Sequence, residues 1–155
     1  MLLCVSSSPA AGGRQNNCPG SFTCSLPEHY SLDTGRRGFW SLGLKEIYVP
    51  ALRTGRKWDP IYVCCSVCET SCLGEMYKPI VATLSAGELK RNSFVRFESV
   101  YYVPLRVNSL SELSVELCSK GGETLEELNT LDNVTHITSC TFALKWKANS
   151  SPWKP

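Results

Sequence analysis

Tyr101-Tyr102-Val103-Pro104-Leu105, Leu113-Ser114-Val115-Glu116-Leu117 and the run from Thr135 to Trp146 stand in succession within Phe97 to Trp146, with turn residues between them. In the second and third, apolar and polar side chains alternate, the period of a half-buried β-strand. Leu113, Val115 and Leu117 oppose Ser114, Glu116 and Cys118, and Gly121-Gly122 supplies the turn that follows. In the last run Val134, Cys140, Phe142, Leu144 and Trp146 share one parity, with His136 and Thr138 among them. Pro104 cannot donate to a sheet ladder, so the strand over Val100 to Val107 is expected at an edge or a bend. No convincing nucleophile or ligand set stands at these strand ends, and the stretch reads as built to present surfaces.

The same alternation continues upstream. Phe22, Cys24 and Leu26 alternate with Thr23 and Ser25 before Pro27 stops the run. After a polar turn at Asp33 to Gly38 comes a long strand, Phe39 to Val49, ended by Pro50. Trp40, Leu42 and Leu44 share one of its faces, and Ile47 and Val49 keep the alternation only if a bulge lies near Lys45-Glu46. Ile61, Val63, Cys65 and Val67 point one way, with Tyr62, Cys64, Ser66 and Cys68 opposite. Ile80 to Leu84 and Phe94 to Glu98 follow.

Strands at this spacing, with turn chemistry between them, predict an all-β sandwich or barrel. Trp40, Leu42, Leu44, Val115, Leu117, Phe142 and Leu144 are its expected core. Leu125, Leu128 and Leu131 recur at three-residue intervals within Glu123 to Leu131, which reads as one helical turn in a connection. Ser6 to Gly20 is rich in Ser, Gly, Asn and Pro without hydrophobic period. The expected organisation is a flexible N-terminal arm over 1–20, one domain over 21–147 and a C-terminal tail over 148–155.

A chain of 155 residues buries roughly two-thirds of its unfolded surface as one domain and needs no disulfide to fold. The formal charge of +2 is too mild to announce nucleic acid. Short basic clusters at Arg36-Arg37, at Arg53 with Arg56-Lys57, and at Lys90-Arg91 sit beside Gly or polar turn residues and read as solvated loops. Met1 to Ser6 is too short for a signal h-region and lacks a basic n-region, so secretion through a signal peptide is not expected. No run approaches the ~18 apolar residues of a membrane span, so a soluble product is expected. Nine cysteines, odd in number and irregular in spacing, then read as buried hydrophobes or exposed thiols of a reducing compartment. The sequons at Asn133 and Asn149 need a secretory route to matter.

Four constellations could carry chemistry. Cys64, Cys65, Cys68 and Cys72 are the candidate metal ligands, because zinc wants four soft or borderline donors at tetrahedral spacing. On a strand, Cys64 and Cys68 share a face while Cys65 lies opposite, so the four converge only if the strand ends before Cys68. A cysteine nucleophile needs a neighbouring base, and only His29 and His136 are available. Strand rise puts His136 about 13 Å from Cys140, beyond hydrogen-bond reach. Glu123, Glu126 and Glu127 read as a solvated turn face. We therefore assign no catalytic residue, no metal, no cofactor and no small-molecule substrate. In the tail, Lys145, Lys147 and Lys154 interleave with Trp146, assigned to the core, and Trp153, tethered beside Lys154 as an anchor for a partner. Arg56, Lys57 and Trp58 are the other expected interface residues.

Phe22-Thr23-x-x-Leu26-Pro27, then Trp40-x-Leu42-Gly43-Leu44-x-Glu46-Ile47-x-x-Pro50, resembles the opening of the small minor capsid (penton, or vertex) proteins of polinton, adintovirus and adomavirus-like DNA viruses. The likeness continues in order through Ile61-Tyr62-Val63-Cys64, Pro79-Ile80-Val81 and Tyr102-Val103-Pro104-Leu105 to a terminal strand ending Phe142-x-Leu144-Lys145-Trp146. The chain departs from those proteins at Ser119-Lys120-Gly121-Gly122, where they tend to be acidic, and at Ser139-Cys140-Thr141, where they often carry Thr-Leu-His. The resemblance implies a single jelly-roll of about eight antiparallel strands. It further implies a homopentamer plugging the icosahedral vertices of a shell built from a double jelly-roll major capsid protein. Such a virion protein would be assembled inside the host cell, in the nucleus. Its loops near Arg53 to Trp58 and Lys120 to Asn133 would meet neighbours or a host receptor, and its arm and tail would tie the ring to the shell. The alternative is a secreted, disulfide-linked β-sandwich that works as a binding module and is glycosylated at Asn133 or Asn149. Non-reducing mass spectrometry separates the two, since paired cysteines and glycans belong only to the alternative. A zinc or thiol enzyme centred on Cys64 to Cys72 ranks third, and nucleic-acid binding fourth.

Overall fold

Among the described residues the alternating runs become eleven strands, with a helical turn ahead of the last of them. They are β1 (Leu2–Ser6), β2 (Ser21–Ser31), β3 (Gly38–Tyr48), β4 (Ile61–Cys65), β5 (Ser71–Leu73), β6 (Met76–Lys78), β7 (Ile80–Leu84), β8 (Phe94–Arg96), β9 (Tyr102–Pro104), β10 (Ser109–Cys118), α1 (Glu126–Asn129) and β11 (Ser139–Ala148). The computed structural model describes residues 1–9, 16–32, 38–50, 60–74, 76–85, 89, 94–132 and 135–148. Among these residues no helix is long and apolar enough to cross a membrane.

Two antiparallel sheets account for all strands but the β5–β6 hairpin. In the first, the order is β1-β11-β3, with β8 and β9 both on the far edge of β3. There β9 covers Ser41 to Gly43, and β8 covers Glu46 to Tyr48. In the second sheet the order is β2-β10-β4-β7. One buried cluster draws side chains from both: Leu3, Leu42, Leu44, Phe142 and Leu144 from the first, Phe22, Ile61, Val63, Leu113, Val115 and Leu117 from the second. This is an all-β sandwich, as the alternation predicts.

The bulge expected near Lys45-Glu46 is present. Thr141 pairs with Glu46 but Phe142 with Leu44, so Lys45 is the extra residue. It swings the strand by one parity step, and Leu44, Ile47 and Val49 all stay buried. Pro104 sits on a short edge strand, where its missing donor costs nothing.

Several expectations change. Leu2–Ser6, placed in the arm over 1–20, is a strand paired with β11 from Leu2↔Ala143 to Ser6↔Ser139, and it buries Leu3 and Val5. Five alternating residues were enough once β11 offered an open edge. Residues 10–15 of that arm lie outside the described residues. Pro27 does not stop β2, which runs on to Ser31, because β2 is the edge of its sheet and the proline falls where its register against β10 shifts between Leu110 and Glu112. The last strand begins at Ser139 rather than Thr135. Trp146 is only half-buried: its ring packs edge-on to Trp40, centroids 5.5 Å apart, over Gly38, where a Cβ would fall 2.3 Å from Trp146 Cζ2. Trp40 likewise borders the core.

Thr138 ties the start of β11 to the chain ahead of β2. It is fully buried, its hydroxyl donates to the Pro19 carbonyl at 2.6 Å, and its amide donates to Ser7 Oγ at 3.0 Å. Thr138→Val keeps the shape but strands a buried carbonyl, so the expected loss in urea unfolding is about 1–3 kcal/mol.

Candidate functional site

The second sheet turns one face to the core and the other outward, and the outward face is where polar and sulfur chemistry collects. On β4, Ile61, Val63 and Cys65 point inward, while Tyr62 and Cys64 point out. The β5–β6 hairpin folds over that outer face and brings Met76 into a small buried cluster with Tyr62, Cys64 and Cys118, bordered by Ile80. Gly122, at φ +81°, permits the approach: a Cβ there would lie 3.3 Å from Met76 Cγ. Beside the cluster, Lys78 Nζ bridges both carboxylate oxygens of Glu116 at 3.0 and 3.2 Å, and the Thr124 hydroxyl donates to the same carboxylate. An open groove of about 630 Å³ runs alongside, lined by Asn17, Thr23, Cys64, Lys78, Arg106 and Glu116 among others.

The electrostatics of this face follow from its contacts. Hydrogen bonding with Cys118 lowers the Cys64 thiol below its usual value against the opposing effects of burial and Glu116; Lys78 helps. The same bond, with burial, raises Cys118. Burial would lift Glu116, but the hydrogen bonds from Thr124 and Lys78 outweigh it and hold the carboxyl below its ordinary value. Burial would depress Lys78, yet Glu116 holds it above.

Because the Glu116 carboxyl titrates lower folded than unfolded, its contribution is fully present above pH 4.5 and fades as pH falls through the lowered folded value. Glu116→Gln is expected to flatten that acid limb and to cost roughly 0.5–1 kcal/mol at neutral pH, the upper range for a partly exposed pair. Urea unfolding from pH 7 to pH 3 reads both effects.

The four candidate metal ligands do not come together. Cys64 belongs to the outer cluster, Cys65 and Cys68 to the core, and Cys72 is exposed on β5. Strand β4 ends at Cys65, and the chain turns so that the Cys68 amide donates to the Cys65 carbonyl at 3.1 Å. Cys68 therefore joins the side of Cys65, not that of Cys64 as strict alternation predicts. Its thiol is raised by the hydrogen bond with Cys65 and then by burial, and burial raises Cys140. These are protonated core thiols. Among the described residues no three His, Cys, Asp or Glu side chains form a group able to hold a metal ion.

His136 lies in the turn before β11, its Nδ1 3.1 Å from Asp132 Oδ2, and not on the strand with Cys140. His29 is exposed on β2, and Glu126 and Glu127 occupy the first turn of α1. The expected interface residues Arg56, Lys57, Trp58, Trp153 and Lys154 lie outside the described residues. The structure adds exposed side chains that the sequence reading missed: Tyr77 is 71% and Tyr101 74% exposed, and Tyr101 and the exposed Leu73 line one groove with Tyr62. Their signal was thin, because three-residue strands such as β5 and β6 carry too few residues to display a period.

No protein-family model and no curated protein matches the chain.

Proposed function

We propose that this chain is a structural virion protein, a minor capsid subunit with the single jelly-roll fold that forms homopentamers at icosahedral vertices. The observation carrying this reading is the strand order. Treating β8 and β9 as one interrupted strand and the β5–β6 hairpin as an insertion leaves eight positions. The chain then alternates between the two sheets at every step except β4 to β7, giving β1-β11-β3-β8/β9 opposite β2-β10-β4-β7. Two interleaved four-stranded sheets of this kind are what a jelly-roll requires. On this reading β1 is the first strand of the roll, and the domain begins at residue 2.

A vertex subunit in a cyclic ring uses two different patches, one for each neighbour. The exposed Tyr77 and Tyr101 suit such patches, since exposed tyrosines supply large contact area at interfaces. The shell around the ring would be a double jelly-roll major capsid protein, with assembly inside the host cell, in the nucleus, and host-receptor contact through the outer loops. The reading needs no catalysis, cofactor or small-molecule substrate.

Co-expression with a double jelly-roll major capsid protein of such a virus tests it. The expected particles carry this chain at the vertices in electron-density maps, and Tyr77→Asp with Tyr101→Asp strips it from them. Particles that close with empty vertices in the presence of the folded wild-type chain would refute the assignment.

A further inference from the structure

Three sulfur-bearing side chains share one buried cluster under the β5–β6 hairpin, and the vertex reading gives them no task. Cys64 and Cys118 come from neighbouring strands and Met76 from the hairpin above. The two thiol side chains belong to the same buried cluster. Their backbones are offset, because Glu116 pairs with Cys64 while Cys118 pairs with Tyr62. Diagonal neighbours of this kind sit about 7–8 Å apart at Cα. That is at or beyond the ~7 Å limit for a disulfide without backbone movement. A metal ion bridges a wider gap: two metal–thiolate bonds of about 2.3 Å each let the sulfurs lie up to roughly 4.6 Å apart.

We propose that Cys64 and Cys118, with Met76 beside them, form a binding site for copper(I) on the outer face of the second sheet. Donor type and number select the ion. Thiolate and thioether sulfurs are soft and favour copper(I), whereas zinc wants four ligands. Tyr62 and Ile80 border the cluster with apolar surface and add no further metal-binding donor of their own from sulfur or imidazole. The groove lined by Cys64 and Lys78 gives the entry path.

The binding step balances simply. One copper(I) ion displaces two thiol protons, forming two copper–sulfur bonds and releasing two protons to solvent. The resulting bis-thiolate centre carries a single negative charge, and the Lys78 ammonium, 3.0 Å from Glu116, lines the same groove as Cys64 and puts a positive charge on that face. No oxidant or reductant takes part.

The test is an anaerobic titration with copper(I) ion, competed by a chromophoric copper(I) chelator, on the full chain. Cys4, Cys18 and Cys72 are replaced by Ser to remove the more accessible thiols. One equivalent is expected to be retained, with copper–sulfur scattering in X-ray absorption. Cys64→Ser or Cys118→Ser loses the equivalent, Cys140→Ala keeps it, and Met76→Leu removes one sulfur from the scattering shell. Lys78→Gln weakens retention roughly 10- to 100-fold, the range for groups that act on a ligand from behind. Slow alkylation of the otherwise unaltered chain, followed for long enough that the buried Cys64 reacts through transient opening and mapped by mass spectrometry, gives a second readout that does not depend on how the variants fold: copper(I) slows the labelling of Cys64 while Cys72 labels at its former rate. Retention of the equivalent by folded Cys64→Ser protein, or unchanged labelling of Cys64, overturns the site. Either result leaves the vertex assignment untouched, because particle incorporation is measured separately.

Discussion

Removal of residues 1–6 is expected to cost the domain roughly 3–6 kcal/mol, from the loss of one buried Leu and one buried Val. Leu3 and Val5 are almost fully buried, and all five residues of β1 lie in register along β11. Their loss also bares the outer edge of β11 as unpaired donors and acceptors, a template for aggregation. A flexible arm would come off without consequence, so a truncated protein with the parent's urea midpoint would show that β1 does not hold the sheet. The cost is a large share of the ~5–15 kcal/mol that holds a typical domain together. Poor yield and aggregation are therefore the expected phenotype in cells.

Phe142→Ala is expected to be of similar size, about 3–5 kcal/mol. Phe142 is fully buried at the centre of the first sheet, flanked by Leu3 on β1 and Leu44 on β3. Removing its ring leaves a cavity between two sheets whose strands are pinned on both sides, and such a site collapses poorly. The urea midpoint should fall with little change in slope. A loss below about 1 kcal/mol would mean that the two faces do not close on this side chain as described.

Much of the fold is legible in the residues because the strands that carry the core are long. Leu113, Val115 and Leu117 on β10, and Phe142 and Leu144 on β11, alternate over enough residues to fix both the element and its buried face. Even the bulge at Lys45 is readable, since Leu44 and Ile47 are both apolar and only an extra residue puts them on one side. What escaped has physical reasons. β1 is short, and its place depends on a partner more than 130 residues away, a contact that no local pattern encodes. Pro27 looked like a stop because its missing donor matters in a central strand and not on an edge. Cys68 changed sides because β4 ends at Cys65, and strand alternation fails at the first turn beyond it.

The outer face of the second sheet was legible only in part. Cys64 opposite Cys65 is plain from parity. The company Cys64 keeps is not, since Cys118, Met76, Lys78 and Glu116 reach it through strand pairing and a hairpin too short to show a period. Chain spacing therefore groups Cys64 with Cys65, Cys68 and Cys72, whereas its buried cluster draws on β10 and β6.

The claim on which the rest depends is that these two sheets form a unit made to repeat around an axis. Native mass spectrometry of the purified chain tests it most directly. A chain of 17.2 kDa should give a closed ring of five copies, about 86 kDa, with no ladder of larger species, as closed cyclic symmetry demands. A folded chain that stays monomeric at every concentration tried, or that closes with two or three copies, would contradict the account.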